Sequence, residues 1–152
     1  MRGAAIALVL ALAAPARADE VRHVVYAEAF GKAGAYGLGY EVDLTRGLGA
    51  GAAASFVPVD GERVTTIAPY LHLAPLRAGR HALIVQLGPV WTRIAVPSPV
   101  PEWDGLATQR TGGEVTAGWE RRGRVLVRVT GTVAFGAGGV VPWLGAAIGA
   151  QL

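Results

Sequence analysis

The sequence predicts an all-β fold: a closed antiparallel up-and-down barrel of about eight strands that crosses a membrane. Three observations carry that reading. Apolar residues alternate with small or polar ones along most of the chain, and helical periodicity is nearly absent. Most alternating segments span ten residues or more, beyond the ~5–6 of an average soluble strand and close to the ~9–11 that cross a bilayer at a tilt. Hydrophobic residues make up 52% and charged residues 16%, against about 25% charged in an ordinary soluble domain.

The chain opens with one Arg, an apolar run from Gly3 to Ala14, and then Ala16-Arg17-Ala18. This pattern predicts a secretory signal peptide over 1–18, with Ala16 and Ala18 forming the A-x-A cleavage site, and a barrel domain over 19–152. An uncleaved anchor is the alternative. The apolar run is shorter than the ~20 residues of a membrane-spanning helix, and no later segment reaches ~18 apolar residues. The net charge of +3 includes Arg2 and Arg17 and falls to about +1 without them, so the basic balance is weak evidence for an acidic partner. With no Cys and no Asn, disulfides, Cys-based metal sites and N-glycosylation are excluded.

Eight strands are expected over 22–31, 35–45, 48–57, 63–75, 81–94, 112–121, 124–136 and 141–152. The first carries Glu28 on the parity that would face a lumen. In the second, Tyr36, Leu38, Tyr40, Val42 and Leu44 share one face, with Gly37, Gly39, Glu41 and Asp43 opposite. The third sets Leu48, Ala50, Ala52, Ala54 and Phe56 against Gly49, Gly51, Ala53 and Ser55. A soluble sheet would show Lys, Glu, Thr and Gln on its second face. Repeated Gly and Ala fit instead the crowded interior of a narrow barrel, where small residues make room for bulkier neighbours. The fourth strand has His72 as a lumenal polar residue. The fifth begins at His81, a turn residue, and carries Trp91 on its apolar face. The sixth has Glu114 inward and Trp119 outward. The seventh sets Val125, Val127, Val129, Val133 and Phe135 against Leu126, Arg128, Thr130, Thr132 and Ala134. The last aligns Leu144, Ala146, Ile148, Ala150 and Leu152.

The connections alternate in kind. Compact basic turns, TRGL (45–48), LRAGRH (76–81) and ERRGR (120–124), fall on one side. GKAG (31–34), PVDGE (58–62), GAGGVVP (136–142) and one long Pro-rich loop, 95–110, fall on the other. Short turns in the periplasm and longer loops outside is the phase of outer-membrane barrels. Tyr36, Phe56, Trp91 and Phe135 sit near the outer ends of their strands and Trp119 near an inner end, as interfacial girdles do; core aromatics are the alternative.

With these features the chain resembles the small eight-stranded outer-membrane barrels, the outer membrane protein A and X class. The resemblance is one of architecture and covers essentially all of 19–152. It implies a monomer in a bacterial outer membrane, in contact with outer-membrane lipids, with a structural, surface-interaction or minor transport role, no catalysis and no cofactor. That class usually ends in an aromatic residue; this chain ends in Leu152.

Few residues invite a chemical reading. Glu28, Glu41, Glu114 and Arg128 share the lumenal parity. A lipid-facing Arg at midplane would cost roughly 2–4 kcal/mol, so Arg128 is expected inside, paired with Glu114 on the neighbouring strand and with Glu28 or Glu41. Such a network is a structural plug or a gated polar path. GLGAGA (47–52) matches a dinucleotide-binding turn, but Pro58 stops the helix that motif requires. His23, His72 and His81 lack metal-ligand spacing, and Ser55 and Ser98 do not neighbour a His in sequence. Trp103 in the loop 95–110 is a candidate contact for a surface ligand, or packs over the barrel mouth. The basic turns suit anionic headgroups or plain solvent, and nothing suggests nucleic acid. Two other functions stay open. A soluble periplasmic barrel holding an apolar ligand would turn its apolar faces inward. A lipid-modifying membrane enzyme would unite a His with a Ser.

Overall fold

The computed structural model describes residues 22–59, 61–98 and 105–152. The cleavage-site alanines Ala16 and Ala18, and Trp103, lie outside the described residues. Eight strands follow in order: β1 (Arg22–Gly31), β2 (Gly34–Asp43), β3 (Leu48–Val59), β4 (Glu62–Ala78), β5 (His81–Val96), β6 (Leu106–Arg121), β7 (Val125–Gly136) and β8 (Gly139–Gln151). Each pairs antiparallel with the next, and β8 returns to β1 to close the barrel. Closure leaves no full-length edge strand to template aggregation.

Several strands outrun their sequence signal. β6 begins at Leu106 rather than 112, because Leu106 to Arg110 ladder against Val96 to Thr92. The expected long loop therefore contracts to the residues between Val96 and Leu106. The stretch 108–111 is polar on both faces, so it shows no alternation, yet its backbone still pairs. β4 continues past Pro75 to Ala78, and its register with β5 shifts between Leu73 and Leu76. Proline has no N–H to give a ladder, so a bulge is where it fits. The basic turn beyond it shrinks to Gly79 and Arg80, with Gly79 at φ 62°, a backbone state glycine adopts without strain. With 17, 16 and 16 residues, β4, β5 and β6 stand taller than the ten-residue β1 and β2, so the loop-end rim is lopsided.

The two faces are inverted relative to a water-soluble barrel. Leu38, Leu71, Leu83, Val129 and Ile148 point outward and are 68%, 46%, 50%, 53% and 61% exposed. Arg128, Glu41, His72, Gln86 and Glu120 fill the lumen and are at most 1% exposed. This is the reverse of the soluble alternative, which required apolar residues inside. Tyr36, Phe56, Trp91, Trp119 and Phe135 all lie on the outward face. Tyr36 donates its hydroxyl to the Phe56 carbonyl at 3.1 Å. At the turn end, His81 stacks on Trp119 and His23 on Tyr40.

The lumenal glycines have a specific task. Tyr26 is opposite Gly39 across β1–β2, and Tyr70 is opposite Gly51 across β3–β4. A β-carbon on either glycine would overlap the facing tyrosine ring. The two rings thus lie over bare backbone and meet hydroxyl to hydroxyl at 2.8 Å. Their neighbours Val24, Leu126 and Ala147 complete the apolar part of the interior.

Candidate functional site: a charged column in the lumen

Strand parity sends Glu41 and Asp43 of β2, His72 of β4, Glu120 of β6 and Arg128 of β7 into the turn-side half of the lumen, and Arg122 folds in from the β6–β7 turn. Arg128 donates through Nη2 to Glu41 at 3.0 Å and to Glu120 at 2.8 Å, and through Nε to Glu120 at 3.2 Å. Arg122 holds the same two carboxylates from below. Its Nε lies 2.8 Å from Glu120, its Nη1 donates to Asp43 at 2.5 Å, and its Nη2 donates to Glu41. Burial works against the charge of Arg122, but the adjoining Glu41 and Glu120 carboxylates outweigh it and raise the guanidinium above its ordinary range. Two guanidiniums thus neutralise most of three carboxylates, the pairing that buried charge demands.

The column continues toward the loop end. Tyr70 donates to Glu41 at 3.0 Å. The Gln86 amide group lies 3.2 Å from Glu41 and 3.1 Å from His72 Nδ1, and its carbonyl oxygen accepts from Lys32 at 2.9 Å. Lys32 belongs to the two-residue β1–β2 turn, yet its ammonium dips into the barrel, 4.4 Å from the Tyr70 ring centre and 3.6 Å from Glu28. Burial pushes Lys32 down to about 8. Glu28 also accepts the Ala33 N–H at 2.7 Å, which folds the turn inward over the lumen. A polar chain therefore runs from the β1–β2 turn through Gln86 to Asp43.

Glu28, Glu41, Glu114 and Arg128 all lie inside, but they do not form one network. Glu41 pairs with Arg128, whereas Glu28 pairs with Lys32. Glu114 is not the partner of Arg128. The register sets Arg128 opposite Glu120 and Glu114 opposite Ala134, six positions or about 20 Å along the strand. Both Glu114 oxygens are buried without a hydrogen-bond partner among the described residues. Sequence reasoning missed Glu120, Arg122 and Lys32 because each falls in a segment read as a connection, ERRGR or GKAG. The parity of Glu120 with Glu114 and Thr116 was the signal that marked it.

Glu41, His72 and Glu120 bring potential ligand atoms within 4.8 Å of one another. Arg122 and Arg128 already occupy both carboxylates, so the donor set suits guanidinium rather than a metal ion. His72 is engaged by Gln86. The Ser55 hydroxyl donates to the Ala33 carbonyl at 2.6 Å, and Ser55 pairs with Thr66 while His72 pairs with Gly49. His72 and Ser55 are therefore separate, and neither forms a nucleophile–base pair with the other.

Protein-family models give no match to this chain, and no curated protein sequence matches it. Among solved structures, the fold is similar to the N-terminal β-barrel domain of OprF from Pseudomonas aeruginosa, with a TM-score of 0.66 and 14% identity, over 87% of this chain and 96% of that one. At that identity the likeness is one of fold: a closed eight-stranded antiparallel barrel.

Proposed function

We propose that this chain is an integral β-barrel of a bacterial outer membrane with a structural or surface-contact role, monomeric, not catalytic, and sealed against free passage of solutes. The observation that carries the reading is the outward face. Between His81 and Arg93, every outward position of β5 is apolar: Leu83, Val85, Leu87, Pro89 and Trp91. From Leu83 to Trp91 the strand runs about 27 Å, or about 21 Å upright at a ~40° tilt, near the ~25 Å apolar band of such barrels. In water this face would be an apolar patch far beyond what a soluble monomer tolerates. The similarity to the OprF barrel supports the same reading. The column from Lys32 to Asp43 argues against a wide pore, as eight strands enclose only enough room for side chains. Outer-membrane lipids are then the main partners, with headgroups meeting His23, His81 and the exposed arginines of the turns.

The test is gel mobility of unheated protein from washed outer membranes, followed by conductance across planar bilayers. A fast band that shifts on boiling, with no open channel, is expected. Recovery as a soluble periplasmic protein with no shift overturns the membrane assignment. A stable large conductance overturns the sealed lumen.

A further inference from the structure

The turn-side mouth is strongly basic, and its arginines differ in what they face. Arg122 and Arg128 are consumed by the lumenal carboxylates. Arg121 follows the outward parity of Trp119 and points away from the lumen. Arg22 and Arg77 follow the inward parity instead, Arg22 opposite Asp43 and Arg77 opposite the buried Ala82. Together with Arg46 of the β2–β3 turn, they line a hollow of about 360 Å³ just below the charged column.

These three arginines come from the start of β1, a turn, and the end of β4, so nothing in the local sequence forces them together. The one carboxylate on the hollow's wall, Asp43, is already held by Arg122 at 2.5 Å. Among the described residues, neither Arg22 nor Arg77 has a carboxylate within ion-pairing distance. Thr45 adds a hydroxyl that accepts from the Gly47 N–H and keeps its own proton to donate. The Arg22 and Arg77 guanidiniums on the wall of the hollow repel one another, and an anion held between them removes that repulsion. Guanidinium forks match the oxygens of a phosphate group, and the volume leaves room for a few atoms of attached polyol.

We infer that the hollow framed by Arg22, Arg46 and Arg77 at the turn-side mouth is a binding site for a phosphate group. The phosphate belongs either to a soluble periplasmic ester or to a phospholipid headgroup of the adjoining leaflet. The first source needs no membrane, whereas the second rests on the membrane assignment above.

The experiment has two arms, each on full-length folded chain verified by its heat-shifted band. In zwitterionic detergent micelles, inorganic phosphate is titrated calorimetrically. In mixed micelles, retained phosphatidylglycerol is counted by native mass spectrometry. R22Q and R77Q are expected to weaken binding about tenfold or more, the loss of one charge-assisted contact. R121Q removes the same charge from the same rim but outside the hollow, and stays near wild type. Phosphate binding lost in R77Q supports the site with a soluble ligand. One retained phosphatidylglycerol lost in R77Q, without phosphate binding, supports it with a lipid ligand. No binding in either arm, or equal weakening by R121Q, overturns the proposal. So does a tenfold gain in D19N/E20Q, which would make the chain's own acidic segment the occupant.

Discussion

Replacing Arg128 with Met tests whether the charged column holds the barrel together. The guanidinium is 1% exposed and makes three charge-assisted hydrogen bonds, two to Glu120 and one to Glu41. Taken singly at about 1.5–3 kcal/mol each, they would sum to an overestimate, because Arg122 still binds both carboxylates. The better guide is the cost of removing one partner from a buried pair, about 3–5 kcal/mol. Here three carboxylates, Glu41, Asp43 and Glu120, would share the single guanidinium of Arg122. A loss of about 4 kcal/mol is expected. With a urea dependence of about 2 kcal/mol per molar, the unfolding midpoint in lipid vesicles falls by about 2 M. Tryptophan fluorescence and the heat-shifted band report it together. The companion E120Q removes the charge that R128M strands, so the double variant should be about 1–2 kcal/mol more stable than the two single losses added. A midpoint for R128M within about 0.3 M of wild type would refute the reasoning, as would strict additivity with E120Q.

Two further outcomes follow from the interior. Gly39→Ala places a methyl group where the Tyr26 ring lies, and that ring is locked by Tyr70, so overpacking should cost about 1–3 kcal/mol in the same unfolding assay. The Lys32 ammonium is pushed from 10.5 to about 8 in the folded chain. Above pH 8 the unfolded state binds more protons than the folded one, so Lys32 makes stability rise as pH rises from about 8 toward 10.5. Comparing urea midpoints of wild type and K32M at pH 7.5, 8.5 and 9.5 should show a positive slope in the difference; a flat difference would mean that Lys32 is not buried as described.

Parity made most of the architecture legible. The alternation in 35–45 is unambiguous because each outward residue is apolar and each inward one small or polar, and 124–136 keeps that pattern except at Leu126 and Gly131. The turn signals between the alternating segments then gave the count of eight strands. What stayed hidden lies where alternation stops carrying information. The stretch from Thr108 to Thr111 is polar on both faces, and pairing there depends on the backbone rather than on which side chains are buried. Lys32 and Arg122 sit in turns, and no periodicity says whether a turn side chain points to solvent or folds back into a lumen. The pairing of Arg128 was misassigned because parity places a residue on a face without giving its height. Both Glu114 and Glu120 lie inward on β6, and the β6–β7 register alone selects Glu120.

That register is itself something the outer face cannot specify. A one-residue slip between β6 and β7 would turn every apolar side chain of one strand inward and is strongly disfavoured. A two-residue slip preserves both faces. The lipid side, mostly Val with Ala117, Gly131, Trp119 and Phe135, would hardly register the change. The lumen would. Sliding β7 by two positions puts Leu126 or Thr130 opposite Glu120 in place of Arg128. Glu120 would lose the three-way contact with Arg128 and Arg122, and Glu41 would lose one of its two guanidiniums. Such a stranded buried carboxylate costs several kcal/mol, whereas the slipped apolar face costs little. The same logic holds at β1–β2, where Tyr26 has room only over a glycine and a slip can bring Glu41 beneath it. The charged column and the glycine seats thus choose one barrel among the several that the alternating pattern alone would permit.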